Sequence, residues 1–178
     1  MTHQDEIRKI SLQTYTVLQN IEKIKEFMFA DLDKTIDLAY SDKGAPNFML
    51  ALVLCSYTQF WGKLVLPSGD GKKCFEAFFR KLGIKYADVV DRQHADIYGR
   101  IRNGLVHEYL IKRSSKIVIE DGECGIDYND KTRIFTFYVR RYLEDFKFAV
   151  NNYINELKTD LHKFNEARKA LEKGAQLL

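Results

Sequence analysis

Arg102, Asn103 and His107 lie close together in the string RNGLVH, and the first and last suit phosphodiester chemistry. The Arg102 guanidinium stays charged at every working pH and offers a planar fork of donors that fits phosphate oxygens. An imidazole with its ordinary pKa of about 6.5 can take or give a proton near neutrality. His107 would act as base on a ribose 2′-hydroxyl or as acid to the leaving oxygen, while Arg102 holds the phosphorane charge. Such a pair would cleave RNA without a metal, and DNA would resist.

The spacing of this pair restricts how it could form one site. Arg102 and His107 are five positions apart, which on a regular α-helix separates them by about 140°. They would then flank a groove, or two copies of the chain would meet across a two-fold axis and combine their pairs. Gly104, which disfavours a regular helix, would allow a kink or the close approach of another backbone. The alternative is that both side chains are structural.

The string RNGLVHEY resembles the signature of the HEPN superfamily of helical domains. That signature is an arginine, a spacer of four to six residues and a histidine, with a polar residue, often asparagine, directly after the arginine. Arg102, Asn103 and His107 occupy these positions. One branch of the family adds a tyrosine two residues after the histidine, where this chain has Tyr109.

The resemblance implies a helical bundle, a homodimer that places two Arg-His pairs in one cleft, and metal-independent RNA cleavage. Carried over, Arg102 would bind phosphate, His107 would be the acid and base, and Asn103 would orient the substrate or the histidine. In toxin–antitoxin members a partner nucleotidyltransferase adenylylates the tyrosine and silences the nuclease, so Tyr109 is a candidate modification site. A role in phage defence is a further expectation.

Basic residues near the motif are candidates for substrate binding. The formal net charge of +3 is too small to imply nucleic-acid binding by itself. Arg100, Lys112 and Arg113 nevertheless bracket the motif, and together with Tyr109 they form the predicted substrate-binding set. The alternative is that these charges are solvated on helix surfaces.

Nothing in the sequence predicts a metal or a cofactor. Cys55, Cys74 and Cys124 are scattered and lack paired zinc spacing, and the histidines form no H-x-x-x-H pair. No phosphate-binding glycine loop or serine-hydrolase signature is present. The scattered cysteines, and an N-terminus without an apolar leader, favour a reducing cytoplasm.

Helical periodicity dominates the chain, so we predict a single, mainly α-helical domain over residues 1–178. Apolar residues recur at helical spacing from about residue 5 to 40, with a possible break near residues 30–31. A second, very apolar helix follows to about residue 66; a membrane span is the alternative to a core helix. Residues 72–82 form a third helix that ends at Gly83 in the left-handed conformation. A fourth, from residue 87 or 88 to about 112, carries the motif.

The pattern changes after the motif. Residues 116–121 and 133–138 are rich in β-branched and aromatic residues and predict a small antiparallel hairpin, with a short third strand at 125–128. Helical spacing then continues from residue 139 to about 173. The expected architecture is an antiparallel four- to five-helix bundle with the hairpin inserted before a long C-terminal helix. The end of that helix would project to pair with another chain, or the helix would kink.

Two functions remain open at this point. The first is a HEPN-like metal-independent endoribonuclease or RNA-binding domain. The second is a non-catalytic interaction or nucleotide-binding module that acts through dimerisation and its long C-terminal helix.

Overall fold

The computed structural model describes residues 3–41, 47–92, 96–105 and 115–175, and the side chains within 15–39, 47–92, 96–105 and 115–173. The prediction of a mainly α-helical chain is confirmed. The described elements pack around one continuous hydrophobic core. The helices are α1 (His3–Ser41), α2 (Asn47–Val65), α3 (Gly71–Phe79), α4 (Ile84–Asp91), a π-helical segment (Tyr98–Arg102), α5 (Val139–Thr159) and α6 (Leu161–Ala175).

Helix α2 lies at the centre of the molecule and packs on α1, α3, α5 and α6. Among the helices in the described ranges, only α2 is long and apolar enough to cross a membrane. Its buried residues, which include Leu54, Thr58 and Trp61, belong to the shared core or contact it. The prediction of a core helix is therefore confirmed.

Aromatic residues and satisfied polar groups hold α2 to its neighbours. Trp61 packs edge-on against Tyr153 of α5, with ring centroids 6.3 Å apart. The Tyr153 hydroxyl donates to the Leu64 carbonyl over 2.9 Å. Gly62 lets α3 approach closely, because a Cβ there would lie 1.7 Å from the carbonyl oxygen of Cys74. Burial of these rings provides most of the stabilisation between the helices.

The short sheet corrects the predicted strand pairing. Its strands are β1 (Ser115–Val118), β2 (Ile126–Asn129) and β3 (Ile134–Tyr138), in the order β1-β3-β2. β3 pairs with β2 as an antiparallel hairpin and with β1 in parallel. The segment predicted as a minor third strand is thus the true hairpin partner of β3. Tyr128 of β2 contacts Phe135 of β3 (4.5 Å between centroids), which helps to fix this pairing.

The long C-terminal helix is broken, and it does not project along its whole predicted length. Asp160 has an extended backbone (φ −118°, ψ 101°) and separates α5 from α6. Its carboxylate accepts a hydrogen bond from the backbone N–H of Lys163, which caps the start of α6. α6 packs back on α2 and buries Phe164 and Ala167. Helical periodicity continues through the break, so the sequence pattern alone did not reveal it.

The predicted fourth helix is also two elements. α4 starts directly after Gly83 and ends at Asp91, and Arg92 is extended (ψ 111°). Gly83 has φ 146° and ψ 174°, a conformation suited to glycine but not the predicted left-handed helical cap. A new helical turn begins after Asp96, so Arg102 lies on an element separate from α4.

Candidate functional site

Arg102, the first residue of the motif, lies at the end of a π-helical segment whose start is fixed by Asp96. The Asp96 carboxylate accepts a hydrogen bond from the backbone N–H of Gly99 over 3.2 Å, as a helix N-cap does. It also accepts one from Lys72 of α3 over 3.2 Å. This ion pair ties the segment to α3, and the contact with Asp96 raises the pKa of Lys72.

The winding of this segment changes the expected geometry of the motif. The backbone N–H of Asn103 donates to the carbonyl of Tyr98, five residues earlier, where an α-helix would use the residue four earlier. In a π-helix, two residues that are five positions apart are therefore separated by about one turn and lie on roughly the same side. The 140° separation expected on an α-helix does not apply to residues 98–103. π-Helical turns occur frequently at functional sites.

Arg102 is held in place by its neighbours in the segment. Its Nη1 donates to the side-chain oxygen of Asn103 over 3.0 Å. Its guanidinium carbon lies 5.3 Å from the centre of the Tyr98 ring, within cation–π range. Its Nε is buried and has no hydrogen-bond partner within the described ranges. Arg102 is thus oriented by uncharged groups, and no described carboxylate neutralises it.

A face of α2 completes the surroundings of Arg102. Cys55 is fully buried there; burial raises the pKa of its thiol to about 12, and the charge of Arg102 offsets this only in part. Gln59, one turn further along α2, has a buried side-chain oxygen without a partner in the described part of the chain. A Cβ at Gly71 would lie 2.7 Å from the Tyr98 hydroxyl and 3.0 Å from the Gln59 amide nitrogen. Glycine at position 71 therefore allows Tyr98 and Gln59 to converge.

Arg100 contacts different residues from Arg102. Its guanidinium carbon lies 5.8 Å from the centre of the Phe135 ring, and its Nη1 donates to the carbonyl of Arg133 over 3.3 Å. Arg100 therefore joins the π-helical segment to β3, whereas Arg102 lies toward α2.

The structure brings together only part of the predicted site. Arg102 and Asn103 are hydrogen-bonded to each other. The remaining members lie outside the described residues, so their positions stay predictions; these are His107, Tyr109, Lys112 and Arg113.

Sequence reasoning missed Cys55 and Gln59, and it placed Tyr98 and Arg102 on one side of a helix without assigning a contact between them. A signal for Gln59 existed, because it is one of the few polar residues that interrupt the most apolar helix of the chain. The signal for Tyr98 was its position four residues before Arg102, which places the two side chains on one side of a helix.

Two other features were considered as sites. Among the described residues, no group of three or more histidine, cysteine, aspartate or glutamate side chains is placed to hold a metal ion.

A cavity of about 460 Å³ lies between α4 and the sheet, and it includes Lys85, Arg92 and Cys124. Lys85 pairs with Glu123 across the rim, and Arg92 pairs with Asp130. None of the residues that contact Arg102 lines this cavity.

No protein-family model matches the chain, and no solved structure matches it. The geometry around Arg102 therefore has to support any functional assignment together with the motif.

Proposed function

We propose that the protein is a HEPN-like, metal-independent endoribonuclease in which Arg102 binds the scissile phosphate and His107 transfers protons. The observation that carries the proposal is that Arg102 has no carboxylate partner among the described residues, while Asn103 and Tyr98 hold its side chain. A guanidinium used only for structure would ordinarily be paired when partly buried. An oriented, uncompensated guanidinium is ready for a phosphate.

The chemistry follows from the residue types. The His107 imidazole removes the proton of the ribose 2′-hydroxyl, whose oxygen attacks the adjacent phosphorus as the bond to the 5′-oxygen breaks. The departing 5′-oxygen takes a proton from an imidazole, either the same one or that of a second copy. Arg102 stabilises the negative charge of the phosphorane, and its fixed position avoids a reorganisation cost. Asn103 positions Arg102 through its side-chain oxygen.

The biological setting belongs to the same proposal. Two chains would form a homodimer whose paired motifs share a cleft, in the cytoplasm. A nucleotidyltransferase antitoxin that adenylylates Tyr109 would silence the nuclease in a toxin–antitoxin or phage-defence system. These statements rest on the motif RNGLVHEY, since Tyr109 lies outside the described residues.

The test is cleavage of a mixed, end-labelled RNA by the full chain in the presence of EDTA. The wild type is compared with His107→Ala and with His162→Ala, an exposed histidine on α6 that serves as a matched control. We expect the wild type and His162→Ala to cut RNA but not DNA of the same sequence, and His107→Ala to lose at least about 100-fold in rate.

Two results would contradict the nuclease proposal. One is a wild type that leaves every RNA intact while thermal melting shows it folded. The other is a His107→Ala protein that cuts as fast as the wild type, which would indicate a contaminating nuclease or another active site.

The alternative function, a non-catalytic interaction or nucleotide-binding module that acts through dimerisation and a long C-terminal helix, has less support. α6 packs on α2 of its own chain, and this contact covers Phe164 and Ala167. A helix already used in the core is not free to pair along that face with a partner.

A further inference from the structure

Several positive charges near the motif lack a carboxylate partner among the described residues, whereas most of the other described cations have one. Five cationic side chains on the π-helical segment, β1 and the β2–β3 turn have no ion pair within the described ranges. These are Arg100, Arg102, Lys116, Lys131 and Arg133. We call them the unpaired basic group.

Elsewhere in the described chain, ion pairs are the rule. Arg80 pairs with Asp91 over 2.7 Å, and Lys158 pairs with Glu22 over 3.0 Å. Even Arg92, next to the hairpin, is neutralised by Asp130 over 2.7 Å. The few lysines without a described ion pair elsewhere are scattered over α1, α2 and α6, so the grouping of five unpaired cations on neighbouring elements is what distinguishes the unpaired basic group.

The contacts of Arg100 connect two of the elements that carry the unpaired basic group. Arg100 donates to the backbone carbonyl of Arg133, which places the π-helical segment against the β2–β3 turn. β1 pairs in parallel with β3, so that Lys116 lies beside Thr136. Lys116 is exposed on this edge strand. Arg100, Arg133 and Lys116 therefore lie on neighbouring elements, and Arg102 follows two positions after Arg100 on the π-helical segment.

The turn that carries Lys131 and Arg133 is locally ordered. The side-chain oxygen of Asn129 accepts hydrogen bonds from the backbone N–H groups of Lys131 and Thr132, each over 3.0 Å. Arg133 adopts φ 55°, the left-handed conformation that lets the tight turn lead into β3.

We propose that the unpaired basic group is a phosphate-binding track for single-stranded RNA, along which the hairpin delivers the strand to Arg102. This inference rests on the proposed nuclease function and gives the inserted hairpin a role in substrate binding. Separated cations without counter-charges suit the regular phosphates of a flexible strand, and such contacts set affinity and register without reading bases. An RNA phosphate here would release counterions, which makes binding sensitive to salt.

The test measures binding without cleavage. All proteins carry His107→Ala, and the affinity for a fluorescent single-stranded RNA is measured by anisotropy at several salt concentrations. The track variant adds Lys131→Gln and Arg133→Asn, since asparagine tolerates the positive φ. The control variant adds Lys23→Gln and Lys34→Gln, two exposed lysines on α1 without a described carboxylate partner. A third variant, Lys116→Gln alone, covers the sheet edge in case the turn variant fails to fold.

We expect the track variant to bind about tenfold more weakly at low salt, and its slope of log affinity against log salt to be shallower by about 1.4, since each single-strand phosphate contact contributes about 0.7. The Lys116→Gln variant, which removes one contact, should show a slope change about half as large. The control variant should retain the affinity and slope of the parent.

Three results would overturn the inference. If the parent binds RNA and the folded track variant binds equally well, the track is wrong while the nuclease proposal stands. If the parent binds no RNA, the track is wrong, and EDTA-resistant cleavage by the wild type reports separately on the nuclease. If the variants weaken binding to vesicles of anionic lipid but not to RNA, the group serves a membrane surface.

Discussion

The α5–α6 side of the molecule and the side that carries the motif treat positive charge in opposite ways. Almost every cation of α5 and α6 has a carboxylate partner; the paired ones are Arg140, Arg141, Lys147, Lys158, Lys163, Arg168 and Lys169. The unpaired basic group has none within the described ranges. Ion pairs on the first side lie within helices or join neighbouring elements, whereas the charges on the second remain available to an external anion.

Uncharged polar groups on α2 repeat this contrast. Thr58 faces α5, where its hydroxyl meets that of Tyr142 at 2.8 Å and also donates to the Leu54 carbonyl. Gln59, the next residue, lies on the motif side, and its buried oxygen lacks a partner in the described part of the chain. The packed side also contains one buried donor without a described partner, the Nε1 of Trp61.

The contrast separates residues that stabilise the fold from residues for which we propose a function. Native proteins satisfy nearly all buried polar groups, so the unsatisfied ones need a reason. Around Arg102 the reason we propose is a ligand. The following predictions therefore ask whether changes on the motif side reduce activity at constant stability, and whether changes on the packed side do the reverse.

The largest effect is expected at Arg102. Arg102→Ala should lower the RNA cleavage rate about 100- to 1,000-fold, because a fixed donor to the phosphorane is lost. Arg102→Lys should recover only part of the rate, since a lysine keeps the charge but not the planar fork. Rates are measured with EDTA present, together with thermal melting. A fully active and folded Arg102→Ala protein would remove Arg102 from the active site.

The buried hydroxyl pair on the packed side should control stability. Thr58→Val leaves the Tyr142 hydroxyl buried without its partner, which costs about 1–3 kcal/mol of unfolding free energy. Tyr142→Phe should cost less, since the Thr58 hydroxyl keeps its bond to the Leu54 carbonyl, and the double variant should cost less than the sum, since both polar groups are then gone. Urea unfolding of the four proteins measures the coupling. Strictly additive losses would show that the two hydroxyls do not support each other.

The first three helices and their approximate extents followed from the sequence, because apolar spacing reports the buried face of a helix. The pattern could not reveal the break at Asp160, since α6 continues the apolar period while it turns back onto α2. The parallel pairing of β1 with β3 was also missed, because strand propensity does not specify partners. Likewise, Arg102 and Asn103 were found by motif, whereas Gln59 reaches the site through tertiary packing alone.

The ion-pair cluster around Glu156 should give a smaller, pH-dependent effect. Lys81 and Lys163 contact its carboxylate over 2.9 Å and 2.8 Å, joining the end of α5 to α6 and to the turn after α3. Burial by itself would raise the pKa of Glu156, but these two hydrogen bonds outweigh it and hold the pKa below its ordinary 4.5. The unfolded chain therefore takes up the proton at a higher pH than the folded one.

It follows that Glu156 stabilises the fold above about pH 4.5 and that this contribution disappears as the pH falls through the lower, folded pKa. Glu156→Gln should cost about 1 kcal/mol at pH 7, as expected for partly exposed pairs, and RNA cleavage should be unchanged. The difference in unfolding free energy between wild type and variant should shrink from pH 6 to pH 3. A difference that is constant with pH would assign the loss to packing.

The smallest change in stability is expected at Gln59, beside Thr58 but on the other face of α2. Gln59→Met keeps the volume and removes a buried oxygen that has no described partner, so the unfolding free energy should stay within about 0.5 kcal/mol of the wild type. The cleavage rate should nevertheless fall several-fold, because the amide lies beside Tyr98, on which Arg102 stacks. Urea unfolding and the EDTA cleavage assay, run on Gln59→Met and Thr58→Val together, provide the sharpest comparison. If Gln59→Met lost as much stability as Thr58→Val, the glutamine would belong to the core, and the distinction between the two faces of α2 would fail.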